Sequence, residues 1–480
     1  MLVAQRVQPA HTEALARGFV EFLGGPLGRF AAVGTQRWWT PLRVLIVFAA
    51  TFLSGGFLAK TNCIQGIRGD AGVSLDWSGN RQYVSACYND IVPLYGARGL
   101  DHPGFPYAYS WVENGVTRYM EYPVLGGMFQ WLAATITRPL YTVVNIIPGH
   151  AIPEVGLYFM VTALLMSCLW LLTIRLVVEL TGNRVWDTVL VACSPLIVVH
   201  GFTNWDIPAV FLAVAAVWAV KRNHVWTAGV LIGLGVSFKL WPLYLLGAYF
   251  VLALRGKNFA PFLQLVGGSA VAWLVVNVPV LLSYPEAWGE FLRMNSSRGA
   301  EWTTIYATFT RLGLGSFDVD TLNILSFGGF ALSCVGVLVI GLKAPTPPRV
   351  AQLVALILIG FLMFNKVYSP QYSLWLVVFL ALALPDWRLS FSWQIADALV
   401  WPILMWHMMG EENLGAPGEL LTIAVLARDA FIITFAVLII RSMFGARSDK
   451  VYAAHAGRDP LAGPFRLGFA TSTKKEQGHE

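Results

Sequence analysis

Four charged side chains stand in separate polar strings between long apolar runs: Asp90, Lys239, Arg298 and Lys366. A carboxylate and several cations beside a membrane suit a transfer reaction. The carboxylate takes a proton from an attacking hydroxyl, and the cations hold an anionic leaving group. Asp90 lies in Cys87-Tyr88-Asn89-Asp90-Ile91-Val92-Pro93-Leu94-Tyr95, and Glu121-Tyr122-Pro123 ends the same polar segment. Asp70, Asp76 and Asp101 share that segment, and Asp76, in Leu75-Asp76-Trp77, is the main rival for the role of base. An Asp here also suits the cap of a turn or short helix.

The remaining strings hold complementary groups. Asn204-Trp205-Asp206-Ile207-Pro208 opens an apolar run, where Asp206 and Pro208 also fit a helix start. Lys239, in Phe238-Lys239-Leu240-Trp241-Pro242, is a cation among apolar residues. At that depth a cation needs a partner, or must snorkel to the interface. Arg298 follows Asn295, Ser296 and Ser297 and precedes Glu301 and Trp302, a composition that suits phosphate as well as an exposed loop. Asn365-Lys366-Val367-Tyr368-Ser369-Pro370-Gln371-Tyr372 packs a cation, a hydroxyl, a carboxamide and two phenols into one string, the most specific in the chain. His200 reads as a buried, hydrogen-bonded ring, and Glu411 and Glu412 as ordinary loop acids.

These strings must be positioned by elements inside a membrane. The chain has 480 residues, 56% apolar and 12% charged. Soluble domains carry about 25% charged residues. Half that value leaves too little polar surface for water and excludes a soluble enzyme and a disordered or fibrous chain. The net charge of +6 is explained by basic linkers that orient membrane spans, without invoking nucleic acid. Apolar runs at 42–59, 155–178, 186–203, 206–220, 260–283, 321–342, 350–365, 371–385, 391–410 and 417–443 are clear. Two more, 122–147 and 225–254, are interrupted by Arg138-Pro139 and by Lys239 and Pro242, and must leave and return on one side. The expectation is an all-α polytopic membrane protein of about 11–13 helices, counted from spans of roughly 17–25 residues.

Placing the basic linkers on the cytoplasmic side puts the polar strings together on the other. That side also receives the one long early loop, 60–121, rich in Tyr, Trp, Gly and Asp. Loops above about 15 residues in a compact unit usually carry function. Cys63 and Cys87 share this loop and can pair in an oxidising compartment; Cys168, Cys193 and Cys334 lie in apolar runs. The chain has no phosphate-binding glycine loop, dinucleotide fingerprint, zinc-type Cys/His spacing or nucleophile elbow.

The order of the strings Asp90 to Tyr95, Glu121 to Leu125, Asn204 to Asp206, Phe238 to Pro242 and Lys366 to Tyr372 resembles the multi-spanning GT-C glycosyltransferases, in particular glycosyltransferase family 87. That family includes polyprenol-phosphate-mannose-dependent mannosyltransferases. The chain departs from its pattern at Val124, where Pro is frequent, and in its long 60–89 stretch. The resemblance implies a GT-C-like bundle over 41–443, between cytoplasmic segments 1–40 and 444–480. It implies a multi-pass plasma-membrane enzyme with an external site, a lipid-linked donor sugar, inversion at the anomeric carbon, and Asp90 as the base. On this reading Lys366, Arg298, Lys239, Gln371 and Tyr372 hold the donor and its phosphate. Tyr95, Glu121, Asn204, Asp206 and Trp302 hold the sugar and the acceptor. The phosphate leaves as a monoester, so metal independence is expected and no cofactor is called for. A lipid-sugar transporter or flippase, and a glycan polymerase or ligase, are the rival readings.

Overall fold

A computed structural model describes residues 7–24, 38–70, 72–147 and 149–467. The protein is an all-α polytopic membrane protein; its strands form two small antiparallel ribbons, Gly66–Gly69 with Gly72–Leu75 and Trp111–Glu113 with Val116–Arg118. Among the described residues five helices are long and apolar enough to cross a membrane: Pro41–Cys63, Glu154–Ala192, Ala260–Ser283, Val319–Lys343 and Gly418–Met443. Five more apolar helices are shorter: Ile207–Lys221, Val225–Phe238, Trp241–Gly256, Val350–Phe364 and Pro370–Ala383. At about 1.5 Å per residue, helices of this length fall short of the ~30 Å hydrocarbon core. Three of them tolerate this as inner helices, and Pro370–Ala383 is buried over Ser373–Ala383. Ile207–Lys221 and Val350–Phe364 are buried around almost their whole circumference.

Local chemistry sets the helix ends. Thr40 caps the first long helix through the Arg43 amide, with Pro41 in its first turn. The apolar run 186–203 is not one span. It breaks into short pieces because Ser194 caps Leu196 and Pro195 opens a new turn, Pro195–His200. The 225–254 run divides at Lys239, where the backbone turns extended, into the helices Val225–Phe238 and Tyr244–Gly256. Val225–Phe238 lies tight against Ala260–Ser283 because Gly229, Gly233 and Gly268 leave no Cβ between the backbones, and Ser269 donates to the Gly229 carbonyl.

The 122–147 run forms a single helix, Val124–Val144, with Pro139 inside it. Its start lies beside Phe238, against the Gly126 Cα. Near its far end Arg138 donates to the carbonyls of Leu100 and His102, and Arg68 donates to His150 just beyond it. Both ends are thus held by the 60–121 segment or its neighbours, and the helix runs along that end of the bundle.

The opposite end gathers the basic linkers, the described N-terminal residues around Glu13 and the tail as far as residue 467. Arg184 pairs with Asp187 and Glu13, and Lys450 with Glu13. Arg349 donates to the Leu382 and Ala383 carbonyls and pairs with Asp449. Leu461 and Phe465 are buried, Phe465 against Tyr249 at 5.0 Å. As far as residue 467, the tail expected from residue 444 packs against the bundle. Its apolar residues, Leu461, Ala462 and Phe465, supply the reason.

Candidate active site

Asp90 opens the short helix Ile91–Ala97, but its carboxylate does not cap it. Its backbone amide donates to the Thr203 carbonyl at 2.7 Å, which draws the loop onto the Asn204 string. The Asp90 Oδ2 then accepts from Asn204 Nδ2 at 2.7 Å. Tyr88 lies close enough to the same carboxylate to favour its charged form. Burial pushes the Asp90 carboxyl above the ordinary range, while Asn204, Tyr88, Lys239 and Arg298 oppose the shift. A partly exposed carboxylate with raised basicity is what a general base requires.

Asn204 joins two charged groups. Its amide nitrogen also donates to the Tyr122 hydroxyl at 3.0 Å, and its Oδ1 accepts from Lys239 Nζ at 3.3 Å. Lys239 pairs with Asp206 at 2.6 Å, and Trp375 Nε1 donates to the same Asp206 oxygen at 2.8 Å. Lys239 therefore does not snorkel. Asp206 is fully buried and makes no cap, and it serves as the counter-ion of Lys239. Tyr372 stacks on Trp375 at 4.0 Å, and both rings lie within 6 Å of the Lys239 ammonium.

The Arg298 string approaches from another direction. Lys366 Nζ donates to the carbonyls of Ser296 and Arg298 and to Asn323 Oδ1, at 3.2, 2.6 and 2.6 Å. All three of its protons are thus engaged. In this arrangement Lys366 holds the Arg298 loop in place. The Arg298 guanidinium has no ion pair within 4.0 Å among the described residues. Burial works against its charge, but Glu301, Tyr372, Asp90 and Glu121 lie near enough to hold its pKa up. It is exposed and remains open to an anion.

Other assignments shift. Tyr95 is 3% exposed, stacks on Tyr158 at 4.4 Å and donates to Glu154 at 2.8 Å, so it packs in the core. Gln371 is buried in the turn Pro370–Tyr372. Trp302 is half exposed, edge-on to His407 at 5.5 Å. Glu121 pairs with Arg98 at 2.5 Å, and Arg98 lies over the Trp111 ring. Burial raises the Glu121 carboxyl, against the pull of Arg98. The rival Asp76 is occupied by Ser78 and by Arg81 at 2.8 Å, contacts that hold its carboxyl below the ordinary range. Cys63 and Cys87 form a disulfide, which ties the end of the first long helix to the loop three residues before Asp90. Lys60, at that helix end, donates to the Tyr88 carbonyl at 2.9 Å and lies over the Trp401 ring. Among the described residues no three His, Cys, Asp or Glu side chains are grouped to hold a metal.

Sequence reasoning missed Tyr88, Tyr122, Arg98, Trp375 and Glu301. Tyr88 and Tyr122 stood inside the quoted strings, and Glu301 stood three residues from Arg298. Arg98 and Trp375 carried no signal, since only the fold brings them near.

The resemblance seen in the motifs recurs in comparison with known proteins. The model of glycosyltransferase family 87 matches residues 137–370. The chain is thus a polytopic membrane protein that resembles this family. The match includes Asn204, Asp206, Lys239, Arg298 and Lys366, and leaves Asp90 and Glu121 before its start. The chain is 28% identical over 236 residues to GPI mannosyltransferase 1 of Schizosaccharomyces pombe, across 43% of this chain and 59% of that protein. It therefore spans about three fifths of the length of that curated relative. A crystal structure of ArnT from Cupriavidus metallidurans bound to undecaprenyl phosphate aligns with a TM-score of 0.40 and 12% identity, over 85% of this chain and 78% of that one.

Proposed function

We propose that the protein is an inverting glycosyltransferase that moves a sugar, mannose by preference, from a polyprenyl-phosphate donor to a hydroxyl of a cell-envelope glycolipid, lipoglycan or glycoprotein. The observation that carries this reading is the Asn204 bridge, which sets the Asp90 carboxylate beside the Lys239–Asp206 pair with Arg298 nearby. The family match and the mannosyltransferase relative support it.

The acceptor hydroxyl gives its proton to Asp90 as its oxygen bonds to the anomeric carbon. The bond from that carbon to the phosphate oxygen breaks on the far side, with inversion. The electron pair leaves with the polyprenyl phosphate monoester, whose added charge Arg298 neutralises directly. Lys239, largely spent on Asp206, adds a fixed field at longer range. Asn204 and Tyr88 keep the carboxylate aimed. No metal is required, because the leaving group carries one phosphate. On this reading the site faces outward across the plasma membrane, which the distribution of the basic linkers supports.

The test is incubation of the purified protein with labelled polyprenyl-phosphate sugars and a cell-envelope lipid extract, with and without chelator. A labelled product that persists in chelator is expected. Passage of the intact donor across vesicles with no covalent product would instead make the protein a transporter.

A further inference from the structure

Glu301 is a second carboxylate beside the one that serves as base, and its surroundings single it out. Its backbone is held tightly: the amide donates to the Lys366 carbonyl at 2.9 Å, and its own carbonyl accepts from the Thr304 amide and hydroxyl at 3.1 and 2.7 Å. Arg428 secures the next turn by donating to the Thr303 carbonyl at 2.7 Å while stacking on Tyr368. The side chain is therefore presented by a rigid support. Ser369 lies close enough to favour the charged carboxylate, yet its Oε2 is buried with no partner among the described residues. A buried carboxylate oxygen left unpaired is costly, so such an atom calls for a donor.

The identity of that donor follows from charge. Asp90 and Arg298 both lie within electrostatic reach of Glu301. Arg298 does not close a salt bridge on it within 4.0 Å among the described residues, so serving as the arginine's counter-ion does not account for the free oxygen. A phosphate is repelled by a carboxylate. A neutral hydroxyl is the fitting partner, and the transferred sugar is the ligand that carries hydroxyls. We propose that Glu301 is a specificity residue which accepts a hydrogen bond from one hydroxyl of the donor sugar. The loop then divides its work: Arg298 recognises the phosphate and Glu301 the sugar. This inference rests on the reading of the site as one for a polyprenyl-phosphate sugar.

The experiment measures binding by the full chain in lipid nanodiscs. The ligands are polyprenyl-phosphate mannose, its single-deoxy analogues and bare polyprenyl phosphate. For the wild type, one deoxy analogue is expected to bind about ten- to a hundredfold more weakly than the parent, the range for a hydrogen bond to a charged group. Glu301→Ala is expected to lose the same factor for the parent sugar and to show no further loss for that analogue. Glu301→Gln, which keeps shape and an acceptor oxygen, is expected to fall between. Binding of bare polyprenyl phosphate is not weakened in either variant, since neither loses a phosphate contact and both lose a repelling charge. An equal penalty for every deoxy analogue in wild type and variant would overturn the proposal and leave Glu301 as a scaffold for its loop. Wild-type protein that binds bare polyprenyl phosphate as tightly as the sugar-bearing donor would overturn this proposal and the proposed function together. Sugar-dependent wild-type binding with an unaltered Glu301→Ala variant overturns this one alone.

Discussion

Asp90 and Asn204, 114 positions apart, are joined by a hydrogen bond of 2.7 Å from the carboxamide to the carboxylate. The contact converts two unrelated strings into one site, and its consequences are open to measurement.

Asp90→Asn keeps the shape of the side chain and removes its basicity. Transfer is expected to fall by about 10²–10⁴, the usual contribution of a general base, with the protein still folded in the membrane. Thermal unfolding and product formation on the same preparation check both parts. Full activity in this variant, beside a dead Asp76→Asn, would move the base to Asp76.

The pH profile reports on Asn204. Burial raises the Asp90 carboxyl, and a base must be deprotonated to act, so kcat/KM falls as pH drops through that raised value. Asn204 stabilises the charged form. Its replacement by Ala removes that support, so the acid limb is expected to move to higher pH. A limb that stays in place, or moves to lower pH, contradicts the assignment of Asp90 as the titrating group.

The Lys239–Asp206 pair is buried, so removing one partner strands a charge. Lys239→Met and Asp206→Leu are each expected to cost about 3–5 kcal/mol of stability. The double variant should cost less than the sum, because neither charge is then left alone. Denaturation of the two singles and the double in one detergent gives the coupling; strict additivity would show that the two groups do not interact.

Reduction of Cys63–Cys87 frees the chain just before Asp90. Stability is expected to fall by about 2–4 kcal/mol, the typical value for such a crosslink, and activity to decline with it. Intact-mass alkylation of the oxidised protein should find both thiols blocked. Two free thiols there would remove the crosslink from the account.

Lys366→Met tests the division between holding and binding. With its three protons spent on Ser296, Arg298 and Asn323, the lysine acts through the loop. Asn323→Ala, which loosens the same anchor, should therefore reproduce part of the loss in donor affinity. A lysine variant that weakens donor binding beside a silent Asn323→Ala would return Lys366 to the phosphate.

The membrane class, the polar strings and their assembly at one end were legible because charge is scarce in this chain and each charged string interrupts an apolar run. The helix Val124–Val144 was not: Pro139 reads as a break, while in the fold the helix passes through it and Arg138 turns back to the Leu100 and His102 carbonyls. The roles of Asp206 and Tyr95 were hidden for a similar reason. A helix-start Asp looks like a cap until a lysine 33 positions away claims it, and a loop tyrosine looks available until Tyr158 covers its face. Partnerships made across long stretches of chain leave no local pattern to read.

The clasp between Arg349 and Asp449 bears on how this protein can be handled. Asp449 also accepts from Gln352, and Asp459 accepts from the Val350 amide, so the first turn of an inner helix borrows its polar partners from the tail. A chain cut short before Asp449 would bury an arginine without its acid, and the damage would surface at the start of the inner helix Val350–Phe364. Low yield after trimming this tail would reflect a lost internal ion pair, with no need to invoke a missing export or stability signal.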